Sequence, residues 1–146
     1  MKLVALCALF VSVASAKRVV ISTPDAPGAI GPYSQGIMSV GSETSTLYAA
    51  GQIGLDPATG KLVDGGIVAE TARAMANIEA IVSAANMTMA DITECTVLML
   101  DIDDYSDINS VYAEYFDEDA APARAAFQVV ALPGGASTEV KCIASV

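Results

Sequence analysis

The sequence predicts one α/β (α+β) domain, a mixed sheet with two helices packed on one of its faces. Three observations predict it. A chain of 146 residues is long enough for one full core and too short for two domains of usual size. Its apolar pattern runs strand, strand, strand, helix, strand, helix, strand, strand. Hairpin-like pairs of strands at both ends, with helices interrupting the middle, are most economically joined as a single sheet.

The first stretch lies outside that domain. MKLVALCALFVSVASA has the parts of a secretory signal: Lys2, an apolar core from Leu3 to Val13, and small residues at Ala14 and Ala16 before a cut. The apolar core is too short to span a bilayer. Residues 1–16 are therefore read as a leader and 17–146 as the domain, destined for the secretory pathway or the outside, with no membrane contact after removal. A buried N-terminal strand is the plainer reading. The cationic pair Lys17 and Arg18 is unusual directly after a cut, and a route into a complex plastid stays open.

Each element then has a local reason. Arg18–Ser22 is a strand, and Thr23–Gln35 is a loop stiffened by Pro24, Pro27 and Pro32 that presents Tyr33 and Ser34. GIMSV and TLYAAGQI flank a turn at Gly41–Thr44 and read as a hairpin. Gly51, inside the second run, signals a bulge or a close backbone approach. Leu55–Gly66 is turn chemistry. From Ile67 to Ala85, Thr71, Met75, Ile78 and Val82 fall at helical spacing, with Glu70, Arg73 and Asn77 on a polar side, and Asn86 comes next, where a helix often turns left-handed. ITECTVLML, from Ile92 to Leu100, reads as a central strand buried on both faces. Asp101, Asp103 and Asp104 break it and cap the next segment. Ile108, Val111, Tyr112, Tyr115 and Phe116 mark a second amphipathic helix. Pro122 opens two closing strands joined by a Pro/Gly turn.

Composition removes several classes of function. Seven basic against 17 acidic residues leave a net charge of −10, so a phosphate backbone is repelled and no nucleic-acid partner is expected. Without histidine, Ser-His-Asp and Cys-His triads and histidine metal sites are excluded. The Asp101–Asp107 acids lack the glycine and distal glutamate of an EF-hand loop, so capping is preferred to calcium and no metal is expected. GQIGLDPATGK lacks the Gly-Lys-Ser/Thr ending of a phosphate loop. Cys95 and Cys142 sit in apolar runs, where a free cysteine behaves as a small hydrophobe; a bond between them, in an exported chain, is open. With 53% hydrophobic and 16% charged residues, burial between subunits is one way to cover the apolar surface, and an oligomer is expected.

The residual candidates are a polar set without a nucleophile. Positive charge is scarce, and Arg124 lies between Pro122, Ala123, Ala125 and Ala126, with little local reason to be solvated. Glu139 is an isolated acid opening the last strand. With Tyr33 and Asn109 these could bind a small carboxylate and orient water, or be unrelated polar groups, Arg124 forming an ordinary salt bridge at a sheet edge.

The stretches APGAIGPYSQG, AGQIGLDPATGKLVDGGI, INSVYAEYF, APARAAFQVVALP and STEV, in this order and spacing, resemble the successive signatures of the RidA/YjgF family of reactive-intermediate deaminases. The resemblance covers essentially Lys17 to Val146. It implies a chorismate-mutase-like fold, a homotrimer around a barrel, and ligand clefts between subunits. It implies hydrolysis of 2-iminobutanoate and 2-iminopropanoate, formed from enamines, to 2-oxo acids and ammonia, with no cofactor. Position by position, it assigns the substrate carboxylate to Arg124 and the attacking water to Glu139. Tyr33, Gly51, Asn109 and the alanines Ala125 and Ala126 would line the cleft. Ala50, Gly54, Ala126 and Gly134 depart from residues common in the family. The alternative is a trimer that binds a small carboxylate without turning it over; a third reading, RNA cleavage or inhibition of translation, fits badly with the net charge. The leader is also at odds with the cytosolic, mitochondrial or plastid location of most relatives.

Overall fold

The structure is a computed structural model and describes residues 17–146; the leader expected at residues 1–16 lies outside them. Seven strands, β1 (Lys17–Ile21), β2 (Gly36–Val40), β3 (Ser45–Ala49), β4 (Gln52–Ile53), β5 (Ile92–Met99), β6 (Ala123–Gln128) and β7 (Thr138–Ser145), accompany two α-helices, α1 (Gly66–Ala84) and α2 (Tyr105–Ala113). The sheet has the order β1-β2-β3-β7-β5-β6, and β4 also pairs with β7. β5 and β6 run parallel, across the α2 connection, and every other pairing is antiparallel.

Both helices cover one face, as expected. Met75, Ile78, Ile81 and Val82 of α1 and Ile108 and Tyr112 of α2 share a core with Leu47, Cys95, Val97, Met99, Val140 and Cys142 of the sheet. Full burial of each of the larger aliphatic side chains stabilises by about 1.5–3 kcal/mol. α1 ends as the sequence implies, with Asn86 at φ 58°. The Asp101 side chain accepts a hydrogen bond from the Asp103 amide at 3.0 Å and so caps the short turn before α2. α2 itself stops at Ala113, earlier than the spacing implied. Tyr115 and Phe116 still pack inward, and the Tyr115 hydroxyl donates to the Ala72 carbonyl of α1 at 3.1 Å.

Two expectations are corrected. TLYAAGQI is two strands rather than one, because the chain leaves β7 at Ala50 and Gly51 and rejoins it as β4. β5 is not buried on both faces: Ile92, Cys95, Val97 and Met99 are buried, whereas Thr96 and Leu98 on the other side are only partly covered and Thr93 and Glu94 are exposed. The helices cover one side, and among the described residues of one chain nothing comparable covers the other. Cys95 and Cys142 stand opposite each other on β5 and β7, with Cα atoms 4.1 Å apart, and are joined by a disulfide within the core.

Candidate functional site

β7 alternates as a half-buried strand must. Thr138, Val140, Cys142 and Ala144 are buried on the helix side, so Glu139, Lys141 and Ile143 project from the opposite side. Glu139 stands level with Ile53 of β4 and Leu98 of β5. Its carboxylate occupies the space beside Gly51, where a Cβ on residue 51 would collide with Glu139 Oε1. Gly51 is thus a close-approach glycine, but what approaches is a side chain of the same chain. Burial pushes the Glu139 carboxyl above the ordinary glutamate value of 4.5.

A cavity of about 270 Å³ opens beside that carboxylate, walled by Pro27, Ile30, Tyr33, Ala50, Leu55 and Pro133 among others. Three buried polar side chains fix its walls. Gln35 staples the proline loop: its Oε1 accepts from the Thr23 amide at 2.7 Å, and its Nε2 donates to the carbonyls of Thr23, Ala26 and Pro27 at 3.0, 3.0 and 2.9 Å. Asn77 of α1 donates to the Ile53 and Leu55 carbonyls at 3.2 and 2.9 Å. Glu70, also on α1, accepts from the Ser137 amide and hydroxyl at 2.8 and 3.0 Å, two residues before Glu139. Tyr33 is half-exposed at the rim, its hydroxyl accepting from the Ile30 amide at 3.2 Å.

Arg124 belongs to a second cavity, of about 600 Å³, shared with Asn109, Tyr112, Phe116 and Pro122. Its hydrogen-bond partners among the described residues are neutral, so the ordinary salt bridge of the plainer sequence reading is not what holds it. Nη2 donates to Asn109 Oδ1 at 2.7 Å and to the Tyr105 hydroxyl at 3.0 Å. The guanidinium carbon also lies 4.6 Å from the centre of the Tyr112 ring and 5.6 Å from that of Tyr105. Burial, only partly offset by the Arg124 charge, pushes the Tyr112 phenol up to about 12.

The two cavities lie on different sides of the sheet. Arg124 is level with Cys95 and Ala126 with Val97, both core residues, so Arg124 rises on the helix side and meets α2. Ala126 packs against the core, while Ala125, level with Thr96, turns to the other side with Glu139. The side chains of Arg124 and Glu139 therefore leave one sheet in opposite directions. Of the residues expected to form one site, Tyr33, Gly51 and Glu139 come together, Asn109 and Arg124 come together, and the two groups stay apart within a chain.

Residues 23–146 match the family model described as Endoribonuclease L-PSP. The chain is also 38% identical to the crystal structure of RidA from the Antarctic bacterium Psychrobacter sp. PAMC 21119, with a TM-score of 0.81 over 88% of this chain and 99% of that one. It belongs to the RidA/YjgF family. Among relatives of this RidA/YjgF chain, the Capra hircus and Homo sapiens proteins named 2-iminobutanoate/2-iminopropanoate deaminase are 47% and 45% identical over 127 residues, 87% of this chain and 89% of each of theirs. Escherichia coli TdcF, solved with bound serine, is 38% identical with a TM-score of 0.77, over 86% of this chain and 97% of TdcF.

Against the RidA/YjgF pattern, two departures acquire a physical reading. A Cβ on Gly54 would come within 2.7 Å of the Glu70 Cα, so this glycine lets α1 lie close enough for Glu70 to reach Ser137. Gly134 sits at φ 64°, a conformation that favours glycine, in the turn before β7. Ala50 lines the Glu139 cavity. Sequence reasoning missed Tyr105 and the site role of Tyr112, which it placed in the apolar stripe of α2. The signal was present: 105, 109 and 112 recur at i, i+4 and i+7 on one helix face.

Proposed function

We propose that the chain is a deaminase that hydrolyses 2-imino acids such as 2-iminobutanoate and 2-iminopropanoate to 2-oxo acids and ammonia. The observation that carries the reading is the pair of half-sites: a cationic one whose arginine has only neutral hydrogen-bond partners among the described residues, and an acidic one whose glutamate is held above its ordinary pKa. Similarity to proteins named as such deaminases supports the substrate class. Because Arg124 and Glu139 point to opposite sides of one sheet, a site using both needs two chains. A trimer with clefts between subunits supplies that arrangement.

In such a cleft Arg124, with its Nη2 protons taken by Tyr105 and Asn109, offers the substrate carboxylate its permanent charge and an N–H of Nη1 or Nε. Glu139 accepts a proton from water as the water oxygen bonds to C2 of the imine and the C=N pair moves to nitrogen, and Glu139 then returns that proton to the nitrogen, leaving an amino alcohol at C2. Glu139 next takes the proton of the C2 hydroxyl and passes it to the amino nitrogen, the oxygen pair forms C=O as the C–N bond breaks, and ammonia and the 2-oxo acid leave. The imine carbon is already electrophilic, so binding, orientation and delivery of water suffice and no cofactor is invoked.

The test is an assay in which a threonine dehydratase generates 2-iminobutanoate and semicarbazide traps what survives. Wild-type protein should shorten the imine's lifetime and Arg124→Ala should not; equal rates for the two would sink the reading. The serine bound to TdcF favours a second reading, a carboxylate-binding protein without turnover. Then 2-oxobutanoate would raise the melting temperature while ammonia release stayed at background. We also infer export: the leader-like residues 1–16 and a disulfide, more usual in oxidising compartments, support it. A mature N-terminus at Lys17 in the secreted fraction would establish it, and an intact Met1 in the cytosol would refute it.

A further inference from the structure

We propose that Tyr105 and Tyr112 are positioning residues for Arg124, Tyr112 acting through its ring and Tyr105 through its hydroxyl, so that the guanidinium is set for a carboxylate before substrate arrives. The proposal rests on the deaminase reading and names two residues that it does not otherwise need.

An arginine side chain has four rotatable bonds, and fixing it on binding costs affinity. Here the fixing is already done. Tyr105, Asn109 and Tyr112 lie at i, i+4 and i+7 of α2, and this one stripe meets Arg124 from β6. Tyr112 is 5% exposed and its ring centre lies 4.6 Å from the guanidinium carbon. Its hydroxyl is buried without a hydrogen-bond partner among the described residues, so the hydroxyl contributes nothing to holding the arginine. Tyr105 is 43% exposed, and its hydroxyl accepts one Nη2 proton while Asn109 accepts the other. All three partners are neutral. A carboxylate in the place of any of them would also hold the arginine still, but it would spend the charge that the substrate carboxylate is to meet.

The test compares Tyr112→Phe, Tyr112→Leu, Tyr105→Phe and Arg124→Ala in the full mature chain. It reads kcat and KM for imine hydrolysis, the Kd for 2-oxobutanoate, the melting temperature and the oligomeric mass. Tyr112→Leu should raise KM and Kd together by about tenfold, the scale of a partly desolvated cation–π contact, with kcat changed less. Tyr112→Phe keeps the ring and should restore both constants to within about twofold of wild type. Tyr105→Phe should raise KM and Kd about threefold to tenfold, the scale of one ordinary hydrogen bond at a partly exposed site, without lowering the melting temperature. A role confined to packing predicts the reverse, a lower melting temperature with KM and Kd unmoved, and that result overturns the proposal. So does loss of affinity in Tyr112→Phe equal to that in Tyr112→Leu. If Tyr112→Leu does not assemble, the opposed expectations for the two phenylalanine variants still decide the matter. If Arg124→Ala itself leaves hydrolysis and Kd unchanged, the deaminase reading fails first; if Arg124→Ala is inactive while every tyrosine variant keeps wild-type KM and Kd, the positioning proposal fails alone.

Discussion

Glu139 is held where losing its proton is costly. Its carboxyl is partly buried beside Gly51, so the native chain keeps that proton to a higher pH than the unfolded chain does. The linked stability is therefore fully present below the ordinary value of 4.5 and is lost as pH rises through the window up to the raised pKa. Above that window the charged carboxylate is a cost to the fold and, on the proposed mechanism, the active base. Glu139→Gln should therefore cut imine hydrolysis by about 10²–10⁴-fold, while its melting temperature at pH 7 equals or exceeds that of wild type. A drop in melting temperature would mean that the carboxylate is structural. The acid limb of kcat/KM should inflect above 4.5 and vanish in the glutamine variant. Gly51→Ala tests the same geometry from the other side. Its methyl group would take the place of Glu139 Oε1, so activity should fall about as far as in Glu139→Gln, with the circular dichroism spectrum and oligomeric mass kept. Wild-type activity in Gly51→Ala would place the working carboxylate elsewhere.

At the scale of elements, what the sequence made legible and what it hid divide along a physical line. Helical spacing in α1 and α2, the left-handed Asn86 and the Asp101 cap arise from local backbone chemistry, and the structure has all of them. The break of the third strand at Gly51 is set by a residue 88 positions later, Glu139, whose side chain needs the space; only the glycine hinted at it. ITECTVLML misled because an apolar run does not say what covers it. Leu98 and Thr96 face a side that the helices of the same chain leave uncovered, as do Phe127 and Tyr48. Arg124, Glu139, Tyr33 and Asn109 could be singled out as scarce polar groups, but the stack around Arg124 depends on how α2 crosses β6, which no single segment encodes. The disulfide belongs to this scale too. Its two positions could not be paired from the sequence because the pairing is a matter of β5–β7 register. It closes a loop with a sequence separation of 47, for which chain entropy in the unfolded state gives a stabilisation of about 4 kcal/mol. Urea denaturation at one fixed protein concentration should show a loss of that order on adding reductant. The Cys95→Ala, Cys142→Ala double variant should be insensitive to reductant.

For the whole molecule, the decisive geometry is that one sheet sends Arg124 to its helix side and Glu139 to the other. On the proposed function a single chain then has two incomplete sites, and assembly is the step that would make a complete one. The apolar side of the sheet not covered by helices, with Val20, Tyr48 and Phe127 about half-exposed, gives assembly a hydrophobic driving force. This yields a prediction that neither a monomeric site nor a purely structural oligomer shares. Arg124→Ala and Glu139→Gln should each be inactive alone, because every cleft lacks one member of the pair. Unfolded together in equal amounts and reassembled, they should form mixed oligomers which, if trimers as proposed, have some clefts that take a wild-type Arg124 from one chain and a wild-type Glu139 from its neighbour. With random assembly and one arginine and one glutamate per cleft from adjacent chains, about a quarter of the clefts are complete. The mixture should therefore recover about a quarter of wild-type activity per site, all of it in the oligomer fraction on gel filtration, and dilution that dissociates the oligomer should abolish it. If both residues of a site came from the same chain, no mixing ratio would restore activity, since every chain in the mixture carries one lesion.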